Sequence, residues 1–374
     1  MKKKYIFGTA FVFIVLFLIS GCSDDDSSSL GGASSDPSAW LIPVNEVFDG
    51  GPGRDGIPSV DKPVFIAADD PANSYLSDND LVVGIKIGNV VRAYPHPILD
   101  WHEIINDKIA SNALALTYCP LTGSAVAWNR IINGTETTFG VSGLLYNTNL
   151  IPYDRLTQSN WSQMKLQCVN GELIGQTPQL FNIVETTWKT WKELYPNTLV
   201  VSTNTGFSRP YGRYPYGDYR TNQFRLLFPV SNSDSRLPGK ERVLSLIVDG
   251  NALAYRISDF SDSLNIFVHD FNGLPLVAAG SSSKNLAVVF SRKLADDSVL
   301  TFKAVQNSLP IILEDTEGNK WDIFGVAVSG PREGQQLTAT TSFIAYWFAL
   351  AAFYPDLNIF SIEAQDVTDG NPGS

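Results

Sequence analysis

The 374-residue chain holds few residues that bind soft metals or build a disulfide framework: three cysteines, three histidines and two methionines. Charge is also scarce, at 17%, and basic charge scarcer still, with 27 Lys and Arg against 38 Asp and Glu. The resulting net charge of −11 argues against nucleic acid as the main partner, because a phosphate backbone needs a clustered basic surface. The sequence has no Gly-rich phosphate loop, no zinc-type cysteine cluster and no Gly-x-Ser-x-Gly elbow. With 44% hydrophobic and 11% aromatic residues, most of the chain must fold rather than stay disordered.

The N-terminus reads as an address. Lys2, Lys3 and Lys4 precede an apolar run from Tyr5 to Ile19, closed by Ser20-Gly21-Cys22. The run is short for a membrane span, which needs about 20 apolar residues, and it ends in small residues. Leu18-Ile19-Ser20-Gly21-Cys22 resembles a bacterial lipobox, which implies cleavage before Cys22 and acylation of its thiol. Ile19 stands where leucine is more usual. Ser23 after the cysteine implies outer-membrane sorting, so the expected partner is the lipid bilayer. The expected location is the cell envelope, at the periplasmic face of the outer membrane or the cell surface. Loss of the leader's three lysines takes the net charge from −11 to −14. The Ser/Asp/Gly stretch that follows is a solvated tether. Export permits a disulfide between the remaining Cys119 and Cys168.

The chain then repeats itself. Val82–Tyr94 and Val243–Tyr255 both read as alternating strands around a Gly/Asn or Asp/Gly turn, hence β-hairpins about 161 residues apart. Trp161-Ser162-Gln163-Met164 matches Trp321-Asp322-Ile323-Phe324 at nearly the same offset, each before a Gly-rich turn. Trp188, Tyr195 and Pro196 match Trp347, Tyr354 and Pro355, each set a helix that stops at proline. The expected class is α+β, β-rich, with two tandem copies of a mixed hairpin/helix unit packed as one pseudo-symmetric body. The divisions are a leader (1–21), a tether (22–39), a first copy (40–203), a connector (204–240), a second copy (241–362) and a tail (363–374).

Residues present in both copies serve the fold, and those in one copy are candidates for function. His102, Cys119 and Met164 lie in the first copy, and their approximate counterparts are Ser263, Gly280 and Phe324. His96–Asp107 reads as a short helix with Pro97 in its first turn. Ile98, Trp101, His102 and Ile105 would share its inner face, with Glu103 turned toward an edge. Leu114–Cys119 reads as a strand broken by Pro120, which puts Cys119 at a strand end, where reactive groups are held yet accessible. Cys-Pro-Leu-Thr has the spacing of a monothiol redox site. The connector's Phe207–Arg220 stretch, rich in Tyr and Arg within a Pro/Gly frame, reads as a strap between the copies. It could equally bind a sugar, a peptide or an anion. Glu314–Asn319 lacks the spacing of a calcium loop and reads as a hairpin turn, and His269 as structural or surface.

Several segments together resemble a bacterial and archaeal family, domain of unknown function 3179. They are Arg92–Pro95 running into Trp101–Asp107, Tyr118–Ala125, Gly140–Asn147 and Trp161–Met164. The resemblance spans about residues 40–362 and implies no established reaction. It implies Cys-Pro-Leu-Cys at the second motif, where this chain has Thr122, and so argues against a vicinal-dithiol oxidoreductase.

Three functional readings stay open. The first is a ligand- or metal-binding module, with copper preferred, because thiolate, imidazole and thioether suit it; the ligands would be His102, Cys119 and Met164, with His96 a further candidate. The second is a cysteine-dependent enzyme with Cys119 as nucleophile or redox thiol, His102 as its base and Glu103 or Asp107 orienting the imidazole. The third is a structural or interaction lipoprotein without chemistry.

Overall fold

The hairpin pattern sets the architecture. In the computed structural model, which describes residues 39–361, Leu81–Ile87 (β1) and Val90–Pro95 (β2) pair antiparallel through Ile87↔Val90. The leader, Cys22, most of the tether and the C-terminal tail lie outside the described residues. Helix α1 (His96–His102) follows β2 directly. The antiparallel strands Ile104–Ile109 (β3), Asn112–Cys119 (β4) and Ser124–Asn129 (β5) come next. A second meander contains Phe139–Tyr146 (β6), Asn149–Asp154 (β7), Asn160–Ser162 (β8) and Gln167–Asn170 (β9). Val184–Thr187 (β10), helix α2 (Trp188–Leu194) and Leu199–Val201 (β11) then return to the first sheet. There β10 is antiparallel to β1, and β11 is parallel to β2.

The second half follows the same path. Arg242–Val248 (β12) and Asn251–Arg256 (β13) form the hairpin, with Asp249 and Gly250 both at positive φ in its turn. Strands Asn265–Phe271 (β14), Leu274–Ser281 (β15) and Leu286–Ser291 (β16) make the three-stranded sheet. Phe302–Ala304 (β17), Ile311–Asp315 (β18), Lys320–Asp322 (β19) and Ala327–Ser329 (β20) make the second meander. Thr341–Tyr346 (β21), helix α3 (Trp347–Phe353) and Asn358–Ile359 (β22) close the half. Again the strand before the helix is antiparallel to the hairpin, and the strand after it is parallel. The described chain is therefore β-rich with three short α-helices.

The halves complete one another's cores. Trp347, Phe348, Leu350 and Ala351 of α3 pack with Cys119, Trp128, Phe139, Trp161 and Met164 of the first half. Reciprocally, Trp188, Trp191 and Leu194 of α2 pack with Val277, Val288, Trp321 and Phe324 of the second. The turns after β4 and β15 are gripped in the same crossed manner. Thr122 O accepts Tyr346 N–H at 2.8 Å, and Lys284 O accepts the Thr186 hydroxyl at 2.7 Å. Gly123 is needed at its turn: its φ is +58°, and a Cβ there would lie 2.9 Å from the Tyr346 ring.

Three sequence expectations need correction. The predicted helix over His96–Asp107 ends at His102, and Ile104–Ile109 is strand β3, so Ile105 and Asp107 belong to a sheet. Glu103 does not turn toward an edge; it is 6% exposed. At φ +56° and ψ −30° it ends α1, donates its N–H to Leu99 O and carries the chain inward. The counterpart of Cys119 by strand register is Ser281 rather than Gly280. Each closes its hairpin strand, Cys119 opposite Ser124 and Ser281 opposite Leu286. The shift arises because β14 is one residue longer than β3. Glu314–Asn319 is a hairpin turn as expected, with the Asp315 carboxylate accepting the Glu317 and Asn319 N–H groups.

Candidate functional site: a buried acid and thiol under the connector

The segment Cys119–Ser124 rests on a polar network sealed inside the protein. Asn149 Nδ2 donates to Thr122 Oγ1 at 2.9 Å and to Gln163 Oε1 at 2.7 Å. Ser124 Oγ donates to Gln163 Oε1 at 2.7 Å, and Gln163 Nε2 donates to Thr117 Oγ1 at 3.0 Å. All five side chains are buried, and a fully satisfied network of this kind fixes a single geometry. It holds the turn after β4, and with it Cys119, in place.

Cys119 is buried, with Sγ 3.7 Å from Thr148 O. Burial, reinforced by the nearby Glu103 carboxyl, pushes its thiol up to about 11. Hydrogen bonds from the Thr122 hydroxyl and from the Thr122 and Leu150 backbones work the other way, favouring the thiolate. Cys168 is also buried, and both thiols are free, so the permitted disulfide is not formed.

Glu103 faces a small cavity of about 60 Å³, lined also by Leu121, Val141, Leu145, Leu150, Tyr216 and Phe228. Desolvation in these apolar walls pushes its carboxyl up to about 8, and the charge of Asp100 adds to the shift. The Tyr216 hydroxyl, 3.4 Å from Oε1, counteracts only part of it. Glu103 is therefore a protonated, hydrogen-bond-donating acid at neutral pH. By strand register the second half has Asn265 at this place, paired with Gly280 as Glu103 is with Tyr118, so the acid is not repeated there.

Lys240 is 4% exposed, and its ammonium has no hydrogen-bond partner among the described residues. Nζ sits 3.2 Å from the Tyr219 ring centroid and 4.6 Å from that of Phe348. Burial lowers its pKa to about 7; the Cys119 thiolate opposes this and Arg225 adds to it. Cys119 thus has a buried acid and a buried amine as its electrostatic neighbours. Of the three, Glu103 alone lines the cavity, and a strongly shifted group in such a place is a usual mark of a functional site.

The connector covers this chamber, using its tyrosines as pegs. The hydroxyl of Tyr214 donates to Pro120 O at 3.2 Å, and that of Tyr219 to Leu121 O at 3.0 Å. Arg220 clamps Asp100 through two bonds of 2.8 and 2.9 Å and stacks 3.8 Å from the Tyr214 ring. The strap expected from its composition is therefore a roof over the first half.

The structure does not join the predicted residues into one set. His102 lies under the connector's other end, with Nδ1 bonded to Pro58 O at 2.7 Å and Nε2 to the Tyr211 hydroxyl at 2.6 Å. Both ring nitrogens are occupied, and burial lowers its pKa. Met164 is a core side chain in the same cluster as Cys119, and its N–H bonds Asn149 Oδ1. His96 stacks on Tyr118 and faces Glu185. Asp107 holds Arg92 and accepts the Tyr94 hydroxyl at 2.6 Å. Among the described residues, no group of three or more His, Cys, Asp or Glu side chains is placed to hold a metal ion. His269 bonds the Tyr255 hydroxyl, a structural role. Sequence reasoning missed Lys240 and gave Glu103 only an orienting part. The one available signal for Glu103 was that the second half does not repeat the acid, reading Leu264-Asn265 there.

Fold and site together define a β-rich protein in which Glu103 lines a small apolar cavity and couples electrostatically to the buried Cys119. The chain belongs to the family described as "Protein of unknown function (DUF3179)", whose model matches residues 54–357. No curated protein and no solved structure matches it. Among the described residues no helix is long and apolar enough to cross a membrane.

Proposed function

We propose that the chain is a lipid-anchored envelope protein, acylated at Cys22, whose body arose by internal duplication and binds a small ligand in the cavity lined by Glu103. The ligand class is a compact, largely apolar molecule carrying a hydrogen-bond acceptor such as a carbonyl. The observation that carries this is Glu103 itself. A buried acid opening on an apolar cavity costs the fold stability, and the second half does not repeat it, having Asn265 at the equivalent position. Groups that a fold would be more stable without are the ones function retains. The duplication is supported by the matching strand orders and by the reciprocal packing of α2 and α3.

A cysteine enzyme is the second reading, favoured by the hydrogen-bond donors around Cys119 Sγ. Its base would then be Glu103 in its ionised form rather than His102, whose nitrogens are both engaged. Copper held by His102, Cys119 and Met164 does not fit this arrangement, because His102 would have to release the Tyr211 hydroxyl.

The test is a thermal-shift screen of small ketones, esters and amides against the wild type and Glu103→Leu. Binding to the folded state alone raises stability by RT ln(1 + [L]/Kd). Members of the class should raise the melting temperature of the wild type and leave Glu103→Leu unmoved. No shift in the wild type, or equal shifts in both proteins, would overturn the chamber's role. The mass of the mature chain tests acylation separately: Cys22→Ser should lack the lipid.

A further inference from the structure

The connector's outer surface differs sharply in character from the inner one that roofs the chamber. Phe224 is 98% exposed, and the neighbouring Leu226 and Leu227 are 38% and 37% exposed. Three large apolar side chains within four residues, shown to solvent, normally mark an interaction site. The same connector carries Arg209, Arg213, Arg220 and Arg225 against one acidic residue, Asp218, across Phe207–Leu227, in a chain of net charge −11. Arg220 is engaged by Asp100 and Arg225 by Asp218, while Arg209 and Arg213 form no ion pair among the described residues. A basic stretch of an acidic protein thus also carries the most exposed large apolar side chain among the described residues, Phe224.

We propose that this segment docks on an anionic lipid surface, with Phe224, Leu226 and Leu227 entering the interface and Arg209 and Arg213, which form no ion pair among the described residues, supplying attraction to the headgroups. Charge complementarity selects this occupant. Exposed apolar side chains flanked by arginines combine the two terms that hold a peripheral protein to a bilayer, burial of apolar area and attraction to anionic lipid. The tether is compatible with it. Between Cys22 and Ala39, the first described residue, lie Ser23–Ser38, which span at most about 55 Å when extended. Phe228, the next residue after the docking triplet, lines the chamber, so the docked face adjoins the chamber wall. The biological setting rests on the lipid-anchor reading, but the surface itself can be measured without any acyl chain.

The experiment uses the compact unit Asp36–Ser374, which lacks Cys22, and sedimentation with phosphatidylglycerol or phosphatidylcholine vesicles. The wild type should bind phosphatidylglycerol at least about tenfold more tightly than phosphatidylcholine, and added salt should weaken that binding. Phe224→Ser should lose about tenfold in partition, and Arg213→Gln about fivefold, with unchanged melting temperatures. No binding to phosphatidylglycerol overturns the proposal, as expected of a surface built for a protein partner. Equal partition of the wild type and Phe224→Ser overturns it as well. Absence of lipid on Cys22 in the mature chain would instead defeat the anchor reading and leave this result standing.

Discussion

Replacing Glu103 by leucine should make the protein more stable, and by an amount that depends on pH. The carboxyl is pushed up to about 8 from a usual value of 4.5. Between those values the native state keeps a proton that the unfolded chain has lost, so stability falls as pH rises from about 4.5 to 8 and stays low above that range. At 1.36 kcal/mol per pKa unit, the full span is worth about 5 kcal/mol. Leucine removes this slope and adds apolar burial of about 2 kcal/mol at every pH. Its side chain joins Leu121, Leu145 and Leu150 in a cavity of about 60 Å³. Urea denaturation of the wild type and Glu103→Leu at pH 5 and pH 8 isolates the effect, since other titrating groups cancel in the difference. The gain should be a few kcal/mol larger at pH 8 than at pH 5. A gain that does not change with pH, or a loss at pH 8, would show that Glu103 is solvated or ion-paired, and the acid chamber would fail with it.

Two further outcomes test the surroundings. Lys240 has its pKa lowered to about 7 from 10.5, so the unfolded chain binds the extra proton between those values and wild-type stability should rise with pH across that window. Lys240→Met should abolish the rise and be more stable at pH 7, as read by denaturation at pH 7 and pH 10. Gly123→Ala forces a Cβ against Tyr346 at a positive φ, and should destabilise by about 1–3 kcal/mol. It should also speed the reaction of Cys119 with a thiol reagent, with Cys119→Ser separating that signal from Cys168.

Much of the fold could be read from local pattern. The alternating runs around Gly88-Asn89 and Asp249-Gly250 are hairpins. Both terminal helices stop just before Tyr-Pro, at Leu194 and Phe353. Periodicity failed at Glu103, where the helix ends with no Gly or Asn to announce it, because packing rather than propensity puts a glutamate into a left-handed conformation. The site was less legible. His102 and Tyr211 meet across 109 residues, and Lys240 reaches Cys119 from the far end of the connector, so no spacing rule connects them. The contrast between the halves pointed to His102, Cys119 and Met164. It could not foresee that both His102 nitrogens are engaged, because a residue's chemistry can be read from sequence while its hydrogen-bond partners cannot.

The crossed helices also set an order of assembly. Trp347–Phe353 fills the core that holds Cys119, so the first half cannot close until almost the whole chain has been made. During synthesis, more than two hundred residues separate Cys119 from the helix that seals it. The nascent protein must stay unclosed over that interval, the condition in which chaperones act. The thiol chamber would then be among the last parts of the molecule to become inaccessible.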